Sequence, residues 1–136
     1  MAEQIKIKEE KMIKTARYLD VDLVLLFGSR ADGTNRKDSD FDVAYRSKKL
    51  LSIEEEDAFY TFMMKYFGSE NIHILNIKNA KPLTLYEIMR NCKVLYAENM
   101  MSFYELRSYI FKRNEYEVKP IFQTKFNRLK EEYLTK

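Results

Sequence analysis

The strongest constraint on this chain is an apolar run, Val21, Leu23, Val24, Leu25, Leu26 and Phe27, that stops at Gly28-Ser29. Its branched and aromatic side chains predict a buried strand, and the glycine directly after it predicts a sharp turn at the strand's carboxyl end. Gly28 lets the backbone approach a ligand where a Cβ would collide. Ser29 offers a hydroxyl and an amide at the start of a short helix, a favourable place for phosphate. Gly33 adds a second flexible point, and a polar stretch from Asp32 to Ser39 leads to a segment in which Phe41, Val43 and Tyr45 alternate with Asp40, Asp42 and Ala44. That is the period of a strand, so both aspartates face the same way.

Residues two apart on a strand lie roughly 6.5 to 7 Å from each other at the backbone, so two short carboxylates there can converge on one hard cation or on a pair. Mg²⁺ suits such a site. It completes its octahedron with waters and substrate phosphates, and two-metal sites stabilise the attacking and leaving oxygens together. The predicted chemistry is nucleotidyl transfer. An isolated Asp-x-Asp is more often the solvated face of an edge strand, but the preceding strand and Gly-Ser turn favour the metal-binding reading.

Gly28-Ser29, ten residues, then Asp40-x-Asp42 resembles the signature of the DNA polymerase β-type nucleotidyltransferases. The segments GSRADG and DSDFDVA are similar to the minimal nucleotidyltransferases, known as MntA-type antitoxins paired with HEPN-domain toxins. Pro82 to Asn99 and the helix-forming tail resemble the rest of that small domain. The resemblance implies an α/β (α+β) fold, a small mixed sheet flanked by helices with a helical C-terminal tail. It also implies an ATP- and Mg²⁺-dependent adenylyltransferase that modifies a tyrosine of a HEPN-family toxin, an RNase, and silences it. Carried over by position, Gly28 and Ser29 would hold the nucleotide phosphates, and Asp40 and Asp42 the metal. Arg30 and Arg36 are candidates for further phosphate contacts, or are solvated loop charges.

One position departs from the family pattern. A third carboxylate on a later strand would help bind metal and take the proton from the attacking hydroxyl. Here that strand is expected over Asn71 to Ile77, and His73 falls at the acidic position. A neutral imidazole, with an unperturbed pKa near ~6.5, accepts a proton at physiological pH but brings no negative charge. Glu70, three residues away, points to the opposite face of a regular strand and could substitute only if the strand begins after it or is bulged. His73 is thus either the site's proton acceptor or an ordinary strand histidine. The substitution motivates an alternative in which the chain neutralises a toxin by binding alone. Adenylylation of a small hydroxylated molecule such as an aminoglycoside is a further alternative, disfavoured because no additional domain is present to build its pocket.

At 136 residues, with 46% hydrophobic and 14% aromatic content, the chain can bury one core. The expected organisation is a single domain over residues 1–136, its core about 1–98 and a helical extension about 100–136. The acceptor must then be recognised by the core itself, by a partner, or across a homo- or hetero-oligomer interface. A net charge of +3 from 24 basic and 21 acidic residues is near balance, so direct nucleic-acid binding is not expected. Cys92 is the sole cysteine and His73 the sole histidine, which excludes an internal disulfide and a Cys/His zinc cluster and suggests a reducing cytoplasm. No signal-like core or membrane-length apolar run is present, so a soluble protein without membrane attachment is expected.

Helical spacing in Ile5, Met12, Ala16 and Leu19 predicts an opening amphipathic helix. Ser52 with Glu54 to Glu56 predicts a capped helix start, with Phe59, Phe62, Met63 and Tyr66 on its apolar face and Gly68 as its stop. A helix from about Pro82 to Asn91 follows, with Cys92 near its end, then a short strand in Lys93 to Glu98. Met101 to Arg113 is helical in character. Beyond Pro120, Phe122, Phe126, Leu129 and Tyr133 form a stripe expected to pack against the same domain, with a surface for another subunit or the toxin as the alternative.

Overall fold

A computed structural model describes residues 2–134, excluding the side chains of residues 2–7, 122, 133 and 134. The apolar run becomes β1 (Val21–Phe27), with Val24 and Leu25 wholly buried. β1 lies inside a four-stranded sheet with β2 (Phe41–Ser47), β3 (Ile72–Asn76) and β4 (Cys92–Ala97), in the order β3-β2-β1-β4. It pairs antiparallel with both β2 and β4, while β3 joins β2 in parallel, so the sheet is mixed. A strand flanked on both edges and covered on both faces has no solvated side, which is why β1 reads as a nearly continuous apolar run.

The two faces carry separate core layers. Against one lie α1 (Ala2–Tyr18) and α3 (Ile53–Phe67), where Met12, Ala16, Leu19, Phe59 and Met63 meet Val24, Val43 and Tyr45. Against the other lie α4 (Pro82–Arg90) and α5 (Met100–Arg113), where Ile88, Met89, Phe103 and Ile110 meet Leu23, Leu25 and Ala44. A shift in pairing between Val21 and Leu23 places Val21 in the α1/α3 layer although simple alternation would put it with Leu23. The short α2 (Ser29–Asp32) follows the turn at Gly28.

Local signals acted where the sequence placed them. Ser52 and Glu55 form a reciprocal capping box at the start of α3, with both bonds 3.1 Å long, and Gly68 ends the helix in the left-handed region at φ 67°. Pro82 opens α4, whose first turn needs no proline N–H. The predicted strand through Ile77 is shorter, because residues Ile77–Asn79 turn into a 3₁₀ segment capped by the Asn76 side chain at 3.0 Å.

Two expectations are corrected. Cys92 does not end a helix: α4 stops at Arg90, Asn91 leaves helical geometry, and Cys92 opens β4 opposite Phe27. Nor do the described members of the C-terminal stripe, Phe126 and Leu129, pack onto the domain. α5 continues through a π-helical stretch, Asn114–Val118, into α6 (Lys119–Leu134) without a reversal, since Asn114 and Lys119 both keep right-handed helical dihedrals. The axis therefore runs on past the α4/α5 layer, leaving Ile121, Phe126 and Leu129 at 60%, 55% and 57% exposure. Ile5, Phe122 and Tyr133, expected on apolar faces, lie outside the described side chains. α5 itself gives Phe103 and Ile110 to the core.

Candidate active site

The site is built at the end of the sheet where β1 stops. There Cys92, Phe27, Asp42 and His73 stand in register across β4, β1, β2 and β3, and directly opposed residues present their side chains to one face, that of α4 and α5. The sequence could place His73 near the aspartates only by counting along a family pattern. Parallel pairing of β3 with β2 sets it beside Asp42, with its Nδ1 3.5 Å from Asp42 Oδ1. His73 is 65% exposed at its side chain and Asp42 28%. Asp40 sits one residue ahead of β2 and is exposed.

Gly28 has φ 74° and ψ −158°, a region that side-chain-bearing residues hardly populate. A Cβ there would collide with the Asp42 carboxylate. The glycine therefore makes room for the acidic side chain on the neighbouring strand, a closer constraint than the ligand approach expected from sequence. Burial first, and then the neighbouring charge of Asp40, push the Asp42 carboxyl above its ordinary value of 3.8, while the charge of His73 pulls it back. A divalent ion placed at Asp42 would relieve this cost of ionisation. Among the described residues no three His, Cys, Asp or Glu side chains gather to hold a metal by themselves. Two carboxylates that leave positions open for waters or phosphate oxygens would nevertheless fit Mg²⁺.

Between α2 and β2 the loop is held by Arg30. Its Nε and Nη2 donate to the Ser39 carbonyl at 3.2 and 3.0 Å, and Nη2 also donates to the Lys37 carbonyl at 3.1 Å. The guanidinium lies 4.3 Å from the Phe41 ring centroid, and Phe41 stacks on Phe67 at 4.4 Å. Arg30 thus grips the residues on both sides of Asp40. Arg30, a candidate phosphate contact or loop charge by sequence, directs its Nε and Nη2 hydrogens to the loop that carries Asp40. Arg30→Ala should lower turnover about 10²-fold through misplacement of Asp40, and Arg30→Lys should recover little of it, because an ammonium cannot fork between carbonyls while lying flat on a ring. Steady-state kinetics with thermal melting would check this; an Arg30→Lys variant at full rate would refute the positioning role.

Arg36 is exposed, and its amide donates to Ser39 Oγ at 2.7 Å while its carbonyl takes the Ser39 amide, so its backbone shapes the loop. Asp32 accepts from the Thr34 hydroxyl and amide, at 2.5 and 2.9 Å, which closes the turn at Gly33 and holds the Asp32 carboxyl below its ordinary value of 3.8. Ser29 is half-buried next to the turn, and its hydroxyl bonds no other described residue. Glu70 precedes β3, and its carbonyl holds the turn through the Ile72 amide and the Tyr60 hydroxyl.

A hollow of about 170 Å³ beside Gly28 is lined by Phe27, Asp32, Thr84, Arg90 and Asn91. It is too small for a whole nucleotide, which must extend over the open surface. Larger hollows, of about 400 Å³ near Tyr45 and Tyr60 and about 580 Å³ between α4 and α6, include none of Gly28, Ser29, Asp40, Asp42 and His73. Convergence of charge, not depth, marks this site. Arg90 and Thr84 were not singled out by sequence, since nothing in α4 reveals that its carboxyl end faces Gly28.

A mixed sheet flanked by helices, with carboxylates beside a glycine turn at one end, is an arrangement compatible with the nucleotidyltransferase class. Residues 10–100 match the family described as Polymerase beta, Nucleotidyltransferase, and the chain belongs to that family. No curated protein matches the chain significantly. Among solved structures, a chain from a toxin–antitoxin crystal structure with AMP-PNP shares the fold with a TM-score of 0.71 at 18% identity, over 89% of this chain and 97% of that one. A chain from the tri-AMPylated Shewanella oneidensis HEPN toxin in complex with MNT antitoxin gives 0.66 at 15% identity, over 91% and 97%. One from the toxin–antitoxin MntA-HepT gives 0.65 at 15%, over the same shares. Among the described residues no helix is long and apolar enough to cross a membrane.

Proposed function

We propose that this chain is an Mg²⁺-dependent adenylyltransferase that moves AMP from ATP to a tyrosine of a HEPN-family toxin and so acts as its antitoxin. The observation that carries this reading is the packing of Gly28 against Asp42, with Asp40 and His73 beside it, at one sheet end. The fold shared with assemblies described as containing AMP-PNP and a tri-AMPylated HEPN toxin supports the choice of nucleotide and partner.

In this mechanism Gly28 and Ser29 hold the ATP phosphates, and Asp40 and Asp42 hold the ion. When bound, the ion offsets phosphate charge and lowers the cost of forming the attacking oxyanion. The acceptor hydroxyl oxygen forms a bond to the α-phosphorus, the bond from that phosphorus to the β-phosphate bridging oxygen breaks, and pyrophosphate leaves with the electron pair. The hydroxyl proton passes to solvent on the open side of the site, where His73 stands exposed. Arg30 keeps Asp40 in place throughout by anchoring the loop.

The test is transfer of label from α-³²P-ATP to a co-expressed HEPN-family partner. Label on the partner is expected with the wild type and not with Asp40→Asn/Asp42→Asn. A second reading, neutralisation by binding alone, is favoured by a histidine, His73, in place of a carboxylate at the third acidic position. It replaces the first if the wild type binds its partner and leaves it unlabelled.

A further inference from the structure

We infer that the groove between α4 and α6 docks the acceptor polypeptide, holding an acidic and apolar segment of it that lies a few residues from the tyrosine to be modified. The inference rests on the reading of the sheet end as an adenylyltransferase site, and it says how that site selects its protein substrate.

The groove has the make-up of a peptide seat. The π-helical stretch Asn114–Val118 packs on α4 and leads into α6, and a hollow of about 580 Å³ lies open between the two helices. Pro82, Leu83, Val118 and Ile121 give it an apolar floor, with Leu83 49% and Ile121 60% exposed. Apolar side chains laid on that floor would release the water over it.

Charge decides which segment fits. Lys81 and Lys125 line the groove and make no ion pair among the described residues, whereas Arg113 is matched by Glu117 at 3.5 Å. Two unmatched ammonium groups beside an apolar floor complement carboxylates set among apolar side chains. The same charges disfavour a second copy of this chain. Every charged residue of α6 from Lys119 to Lys130 is basic, so a second copy laying that helix here would bring like charge to like.

Position ties the groove to the chemistry. Thr84 lines both this groove and the hollow beside Gly28, so the two adjoin along α4. From Thr84 to Arg90, which also lines the hollow beside Gly28, the helix rises about 9 Å at ~1.5 Å per residue, a distance that an extended peptide covers in about three residues. A segment seated in the groove therefore presents a tyrosine about three to six residues away to the Gly28 turn.

The test is steady-state label transfer from α-³²P-ATP to the HEPN-family partner, with wild type, Lys81→Glu/Lys125→Glu and Ile121→Asp. Lys11→Glu/Lys14→Glu, exposed on α1 at the opposite face of the sheet, carries the same charge change as a control. Both groove variants should raise KM for the partner about tenfold or more while kcat and KM for ATP stay within about twofold, and the control should move none of them. In addition, p-benzoylphenylalanine placed at Leu83 should photo-crosslink to a partner peptide that contains Asp or Glu and lies within about ten residues of the labelled tyrosine. An unchanged KM in both groove variants, an equal rise in the control, or a crosslink far from the labelled tyrosine would overturn the groove's role and leave the transferase reading standing. So would light scattering that shows a wild-type dimer dissociated by Lys81→Glu/Lys125→Glu, since a second copy would then fill the groove. A wild type that transfers no label to a partner it binds would overturn the transferase reading itself, and this inference with it. The substituted side chains are exposed, so the variants should fold, and circular dichroism would verify it.

Discussion

Gly28→Ala should reduce nucleotidyl transfer at least about 10²-fold and destabilise the fold by about 1 to 3 kcal/mol. Two physical causes act at once. At φ 74° and ψ −158° an alanine is strained wherever space exists, and here its Cβ also meets the Asp42 carboxylate. Relief comes either from shifting the turn that presents Ser29 or from swinging Asp42 away from Asp40 and His73, and each displaces a group on which catalysis depends. Gly33→Ala is the internal control. Gly33 also has positive φ, at 81°, but a Cβ there meets nothing within 4 Å. It should cost about 1 kcal/mol and leave turnover within a few-fold. Urea unfolding and steady-state kinetics on both variants decide the matter: equal effects on turnover would show that contact with Asp42 is unimportant.

The paired substitution Asp40→Asn/Asp42→Asn should abolish transfer, by about 10³-fold or more, since no carboxylate remains to hold the ion. Asp42→Asn alone should meanwhile raise the melting temperature of the metal-free protein at pH 7. The Asp42 carboxyl is held above its ordinary value of 3.8 by burial and by Asp40, against the pull of His73. The folded chain therefore retains that proton more firmly than the unfolded chain. The resulting stability is fully present below the usual carboxylate value and is lost as pH rises through the raised one, so the ionised group opposes folding at neutral pH. The melting difference between Asp42→Asn and wild type should shrink as the solution is acidified toward pH ~4. Mg²⁺ with a nucleotide analogue should stabilise the wild type and leave the paired variant unmoved. A lower melting temperature for Asp42→Asn at pH 7 would show that Asp42 is structural rather than a function-bearing strain.

Local chemistry made much of this architecture legible in advance. Val21 to Phe27 announced a buried strand, Gly28 its abrupt end, Ser52 with Glu55 a capped helix, and the alternation around Phe41 a second strand, which carries Asp42 and begins directly after Asp40. Each depends on neighbours within a few residues, where spacing and side-chain type alone decide the outcome. Cys92 and α6 escaped for the opposite reason. Whether Cys92 ends a helix or starts a strand is decided by its pairing with Phe27, and whether the stripe holding Phe126 and Leu129 returns to the core depends on a π-helical stretch that carries α5 into α6 without an intervening turn.

The candidate site divides along the same line. Its ingredients, a glycine turn and two aspartates at strand spacing, were written in the sequence because they are local. Three further features exist only in the folded chain. Parallel pairing brings His73 to Asp42, Gly28 opens the space that the Asp42 carboxylate fills, and Arg30 reaches across the loop to hold both flanks of Asp40. Such contacts join residues far apart in the chain, so no periodicity records them, and only the closing of the sheet brings them together.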